Sequence, residues 1–183
     1  MQIDISHNRL ATKWSKRELI GRALWEYFGA PLMAVTPRPF WALRRAILRA
    51  FGAKIGSGAH LFPSVRIAVP WNLTIGNFAS VGDRANLYSL GSIVVGDRTT
   101  ISQGAHLCAG THNYRSRGFE LLKCSIVIGG DAWICADAFI GPGSIIGDRA
   151  IVGARSVVVH DVEPETIVAG NPAHFVKKRP PID

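Results

Sequence analysis

The chain has 183 residues, 19 of them glycine and 10 proline, and a formal net charge of +8, enough for one domain with its own core. The basic excess suits an anionic partner (a nucleotide-bearing cofactor, a membrane surface or nucleic acid) and carries no information on fold. Three cysteines, Cys108, Cys124 and Cys135, with no CxxC spacing, argue against a disulfide framework or a structural zinc site and point to a reduced, cytoplasmic compartment.

In chain order, the first dozen residues are polar and show no secretory signal. Residues 20–35 are apolar but contain Arg22, Glu26 and Pro31 and are too few to span a bilayer. Ser15-Lys16-Arg17-Glu18 reads as a capping box. It opens a helix with Leu19, Ile20, Ala23, Leu24, Tyr27 and Phe28 on an apolar side, which Gly29 and Pro31 end. A second helix, over about residues 39–51, sets Phe40, Leu43, Ile47 and Phe51 on one face, with Trp41 widening it. Arg45 and Arg49 fall on the other face, and Arg44 at the margin. Two roles are open for residues 1–54, and they are compatible: covering an exposed strand edge, or resting on a membrane surface.

From Ile55 a six-residue repeat takes over. Its first position reads Ile55, Leu61, Ile67, then Ile75, Val81, Leu87, then Val95, Ile101, Leu107, and after a break Ile128, Ile134, Ile140, Ile146, Val152, Val158. Eight units have glycine next, and position five is Ala, Ser, Thr, Gly or Val in every unit but that of Trp71. A period of six fits neither a helix nor an alternating strand. It fits a triangular coil of three short strands, each with one large inward side chain, stacked at roughly 4.8 Å through parallel hydrogen bonds. The predicted fold is therefore an all-β, left-handed parallel β-helix of about five coils (55–72, 75–92, 95–112, 128–145, 146–163). Glycine at position two is expected to supply corner backbone angles. Residues 113–127 interrupt the repeat as a candidate acceptor loop, with His112 at its hinge. Residues 164–183 form a basic tail along the last coils.

The motifs Ala109-Gly110-Thr111-His112, Ile128-Gly129-Gly130-Asp131-Ala132-Trp133-Ile134, Ile140-Gly141-Pro142-Gly143, Val152-Gly153-Ala154-Arg155-Ser156 and Ala169-Gly170-Asn171-Pro172-Ala173 resemble those of the hexapeptide-repeat acyltransferases. The likeness, over about residues 55–178, is to the maltose, galactoside and nodulation O-acetyltransferase branch. Pro37-Arg38-Pro39-Phe40-Trp41 points within it to the acetyltransferases of colanic acid and exopolysaccharide biosynthesis. The resemblance implies a homotrimer with acetyl-CoA in the groove between two prisms, and a saccharide acceptor. It implies His112 as catalytic base and Asn86 as an acceptor contact, with Tyr114 and Glu120 as further acceptor candidates in the loop. It implies Trp133, Ala136, Gly153 and Ala154 along the CoA arm, and His174, Lys177 and Lys178 near the nucleotide. Cys135-Ala136 departs from the usual Gly and small polar pair, and His174 stands where Arg or Lys is common.

Acetyl transfer to a hydroxyl needs a base, for which an imidazole is suited near pH 7. It also needs donors for the oxyanion and a groove that holds both reactants. The thioester is already activated, so no cysteine is required as nucleophile. Asn86 and His112 end units at different corners of the prism and are expected to meet only across a subunit interface. Rival readings are a zinc hydratase built on His60, His106 and His112, a non-catalytic scaffold, and an N-acetyltransferase acting on an amino sugar or small amine. No metal is expected. No aromatic-basic stacking surface supports nucleic-acid binding.

Overall fold

The computed structural model describes residues 5–181; the outermost residues of the expected 1–54 and 164–183 segments lie outside these. The chain forms the left-handed parallel β-helix that the six-residue period predicts. One side of the prism stacks Lys54–Ile55, Leu73–Ile75, Ile93–Val95, Ile126–Ile128 and Ile145–Ile146. A second stacks His60–Leu61, Ser80–Val81, Thr100–Ile101, Trp133–Ile134, Ile151–Val152 and Thr166–Ala169, followed by antiparallel His174–Lys178. The third stacks Arg66–Ile67, Asn86–Tyr88, His106–Cys108, Phe139–Ile140 and Val157–Val158. Registers Ile55↔Ile75, Ile75↔Val95, Val95↔Ile128 and Ile128↔Ile146 place the first-position residues one above another. Thr166–Ala169 continues the stack into a partial sixth coil.

The core is one inward side chain per strand beside a small residue. Leu61, Ile75, Val81, Leu87, Ile101, Leu107, Ile128 and Ile134 are buried, with Ala59, Ala79, Ala85, Ala105, Ala132 and Ala138 next to them. Glycine at position two has a different cause from the one its sequence suggests. The left-handed corner residue is position four: Phe78, Arg84, Arg98, Asp131, Asp137, Arg149 and Arg155 all have φ between 55° and 59°. Position two is glycine because the next coil passes too close. A Cβ on Gly76 would lie 2.5 Å from the Asp97 nitrogen, and one on Gly56 2.5 Å from the Asn77 nitrogen.

The N-terminal helices cover the first coil, and the hydrogen-bond direction explains how. Gly56, His60, Phe62, Arg66 and Ala68 donate to carbonyls of the second coil, so the first coil is left with acceptors along its open edge. Donor-only side chains meet them. Arg49 Nη2 reaches the Ile55 carbonyl at 2.6 Å, Arg45 Nη1 that of Ala59 at 3.0 Å, Arg44 Nε that of Leu61 at 2.6 Å, and Trp25 Nε1 that of Ile67 at 2.7 Å. Arg44, placed at a margin by helix periodicity, is fully buried in helix Trp41–Ala50, and its other donors go to Thr36 Oγ1 and the Pro37 and Arg38 carbonyls. Burial lowers its pKa.

The first helix opens at the capping box, Ser15 accepting from the Glu18 N–H. Gly29 and Pro31 do not end it. Lys16–Leu24 passes through a π turn, Trp25–Gly29, in which the Ala30 N–H bonds the Trp25 carbonyl, and continues as Ala30–Ala34. The wider turn re-phases the helix just before Pro31, so the proline sits at the start of a new segment where its missing N–H costs little.

Candidate active site

The long break in the repeat is a β-hairpin. Gly110–His112 pairs antiparallel with Leu121–Lys123, His112 opposite Leu121. The hairpin places the His112 ring flat on Phe119, centroids 4.5 Å apart and planes 5° from parallel. His112 Nδ1 lies 2.9 Å from the Phe119 carbonyl oxygen. A carbonyl can only accept, so Nδ1 carries a proton, and in the neutral ring the lone pair is on Nε2. Asn8 Nδ2 donates to the same carbonyl, and to that of Gly118 at 2.9 Å; Lys13 Nζ donates to Asn8 Oδ1 at 2.6 Å.

His112 lines a cavity of about 770 Å³ between the third side of the prism and the first helix. Lys13, Arg22 and Arg66 bring positive charge to its wall and Glu26 the one carboxylate. Trp14 forms an aromatic wall, with the Arg22 guanidinium 4.3 Å and Lys123 Nζ 3.6 Å from its ring centroid. Tyr88, on the Asn86–Tyr88 strand, is also in the wall. Asn86 projects on the same strand face as Tyr88, half-buried, with Leu87 turned inward between them.

Tyr114 is exposed at the hairpin tip beside Arg115. Glu120 Oε1 accepts from Ser116 Oγ at 2.7 Å, fixing the tip from within. The other site candidates lie elsewhere on the prism. Trp133 is on the second side, 46% exposed, its indole N–H bonded to Ser102 Oγ at 2.9 Å. Ala136, Gly153 and Ala154 follow at the next corner, where the Arg155 N–H bonds the Ala136 carbonyl. His174, Lys177 and Lys178 project from the exposed edge strand of the second side. None of these seven lines the His112 cavity.

Phe119, Trp14, Arg22 and Arg66 enter this site without a sequence signal. Each depends on the hairpin or on the helix lying over the prism, and no local motif encodes either.

The remaining titratable groups have separate duties. His60 stacks on Trp41 at 4.6 Å. His106 packs between the rings of Tyr88 and Phe139, its Nε2 buried without a hydrogen bond among the described residues, and burial lowers its pKa. These two and His112 do not converge, and no group of three or more metal-ligating side chains occurs among the described residues. Cys108, Cys124 and Cys135 are free thiols, and burial pushes the Cys135 thiol pKa up, away from the thiolate form a nucleophile uses.

A family profile described as "Bacterial transferase hexapeptide (six repeats)" matches residues 125–160. A protein of Escherichia coli (strain K12) named "Putative colanic acid biosynthesis acetyltransferase WcaF" is 42% identical over 156 residues, 85% of this chain and 86% of the relative. Among solved structures, the hexapeptide-repeat acetyltransferase VCA0836 of Vibrio cholerae O1 biovar eltor, complexed with acetyl coenzyme A, superposes with a TM-score of 0.84 at 25% identity, covering 93% of each chain. A maltose O-acetyltransferase of Clostridium difficile 630 shares the fold, with a TM-score of 0.82 at 23% identity over 91% of this chain and 90% of that one. Six-residue repeat, stacked prism and extended identity agree: the chain belongs to the hexapeptide-repeat acetyltransferases, alongside the colanic acid biosynthesis acetyltransferases.

Proposed function

We propose that this enzyme transfers an acetyl group from acetyl-CoA to a sugar hydroxyl of an exopolysaccharide or lipopolysaccharide precursor, directly and without a covalent enzyme intermediate. The observation that carries the reading is the contact of His112 Nδ1 with the Phe119 carbonyl, which leaves Nε2 of the neutral ring as the proton acceptor, on a residue that lines a cavity of about 770 Å³. Nε2 takes the hydroxyl proton as the oxygen attacks the thioester carbonyl. The tetrahedral adduct expels the CoA thiolate, which recovers that proton from the imidazolium. The three cations and one carboxylate of the wall suit an acceptor that carries an anionic group, phosphate or carboxylate, beside the reacting sugar.

Acetyl-CoA binding is assigned to Trp133, Ala136, Gly153 and Ala154, with His174, Lys177 and Lys178 at the nucleotide end. Asn86, Tyr114 and Glu120 are assigned to the acceptor. The CoA positions share no cavity with His112 within one chain, and a homotrimer with sites between neighbouring prisms brings the two sets together. Mixed trimers of His112→Ala and Lys177→Ala/Lys178→Ala chains test this arrangement. Recovery of activity is expected; none at all contradicts the shared site. The reaction class is tested by mass spectrometry of product formed from acetyl-CoA and a glycoside panel. A gain of one acetyl group lost in mild alkali marks an ester. An alkali-stable product marks an amide and contradicts O-acetylation.

A further inference from the structure

The helical run over residues 16–34 has two faces of different character. The inner one buries Trp25, Gly29 and Met33 and, through Trp25, closes the edge of the first coil. The outer one carries Leu19, Ile20, Leu24, Tyr27, Phe28, Leu32 and, just beyond, Val35, each between 49% and 76% exposed. Between Leu19 and Val35 the one exposed charged residue is Glu26, at the cavity side of the stripe. Glu18 is held in the capping box. Single exposed apolar residues are ordinary, but a continuous stripe of this kind marks a contact surface. It has exposed cations at both ends, Lys16 and Arg17 at the start and Arg38 after the finish, on a chain of net charge +8.

We propose that the outer face of residues 19–35 docks on an anionic lipid surface. An apolar stripe bounded by Lys and Arg matches an interface with an acyl boundary below and anionic headgroups around it. A second copy meeting the stripe through its own stripe is matched less well, because Lys16, Arg17 and Arg38 of two chains would be set close together; a head-to-tail contact with a trimer neighbour is read by the mass measurement below. The attachment is interfacial, because no helix among the described residues is long and apolar enough to cross a membrane. The same helix roofs the His112 cavity with its inner side, so docking sets the cavity close to the lipid boundary.

The test is flotation of the full-length protein with vesicles of phosphatidylcholine alone and of phosphatidylcholine with phosphatidylglycerol. Wild type is compared with Ile20→Ser/Leu24→Ser/Phe28→Ser and with Lys16→Gln/Arg17→Gln, and oligomeric mass is read by light scattering. Wild type is expected to float with the anionic vesicles, the triple variant to lose at least tenfold in partitioning, and the charge variant to lose binding that salt also weakens. The triple variant alters only exposed side chains, so its melting temperature and oligomeric mass stay at wild type. Absence of wild-type flotation overturns the proposal. So does a triple variant that floats normally but changes mass, which makes the face a subunit contact. Flotation does not depend on acetyl transfer, so this proposal and the catalytic reading fail independently.

Discussion

The Phe119 carbonyl oxygen lies 2.9 Å from His112 Nδ1 while the Phe119 ring stacks at 4.5 Å on the same imidazole. One residue at the end of the hairpin thus sets both the tautomer and the plane of the proposed base. Because Asn8 also donates to this carbonyl, the short helix Ile5–Leu10, which precedes the capping box, is tied to the site across more than a hundred residues of sequence.

Two substitutions separate these contributions. Phe119→Ala keeps the carbonyl and removes the ring, and kcat is expected to fall about tenfold, near 1.4 kcal/mol. Asn8→Ala is expected to lower kcat by about threefold through a looser carbonyl, roughly 0.6 kcal/mol. Steady-state kinetics measured below the melting temperature of each variant check both: KM for acetyl-CoA remains at wild type while kcat falls, whereas a general structural defect would move both.

The cationic wall predicts acceptor preference. Arg22→Gln and Arg66→Gln are each expected to reduce kcat/KM for a phosphorylated or uronic acid glycoside by about tenfold and for a neutral glycoside by less than about twofold. Paired acceptors assayed with each variant show whether the loss follows charge.

The capped edge predicts a stability ranking. Arg44→Met leaves the Leu61, Pro37 and Arg38 carbonyls without their buried donor and is expected to cost about 3–5 kcal/mol. Arg45→Met, which gives up one bond to the Ala59 carbonyl, costs about 1 kcal/mol. Denaturant unfolding measures both. Gly76→Ala belongs with the severe class, since its Cβ meets backbone. Arg84→Gly is expected to be neutral or to stabilise by up to about 1 kcal/mol, because it relieves a left-handed φ of 56°.

Burial of His106 predicts acid sensitivity. Its folded pKa lies below the ordinary 6.5, so the unfolded chain binds the proton more tightly. Stability is full above about pH 6.5 and is lost as pH falls through that value toward the folded pKa. Melting curves from pH 8 to pH 5 are expected to show the drop, flattened in His106→Gln; an equal drop in the variant would assign it to other groups.

The prism was readable because its period is enforced by packing: Ile55, Ile75, Val95, Ile128 and Ile146 stack in one column, and any shift would turn a buried side chain outward. The reason for glycine at position two was not readable, since it depends on the distance to the next coil. Arg44 was misplaced for a related cause. Helix periodicity ranks it by polarity, whereas its burial follows from carbonyls that a stacked edge leaves open. The π turn at Trp25–Gly29 likewise answers tertiary packing around Trp25 and has no local signature. Ala109-Gly110-Thr111-His112 marked the candidate base, but its partner Phe119 is chosen by hairpin register, which one sequence does not encode.

The most direct test of the account is thiol release from acetyl-CoA by wild type and His112→Ala, with acetyl-CoA affinity measured by calorimetry on both. Acceptor-dependent release is expected in wild type and a loss of about 10²–10⁴ in kcat in the variant, with acetyl-CoA affinity unchanged. A variant that binds acetyl-CoA normally and turns over within about threefold of wild type, roughly 0.6 kcal/mol, would contradict His112 as the base.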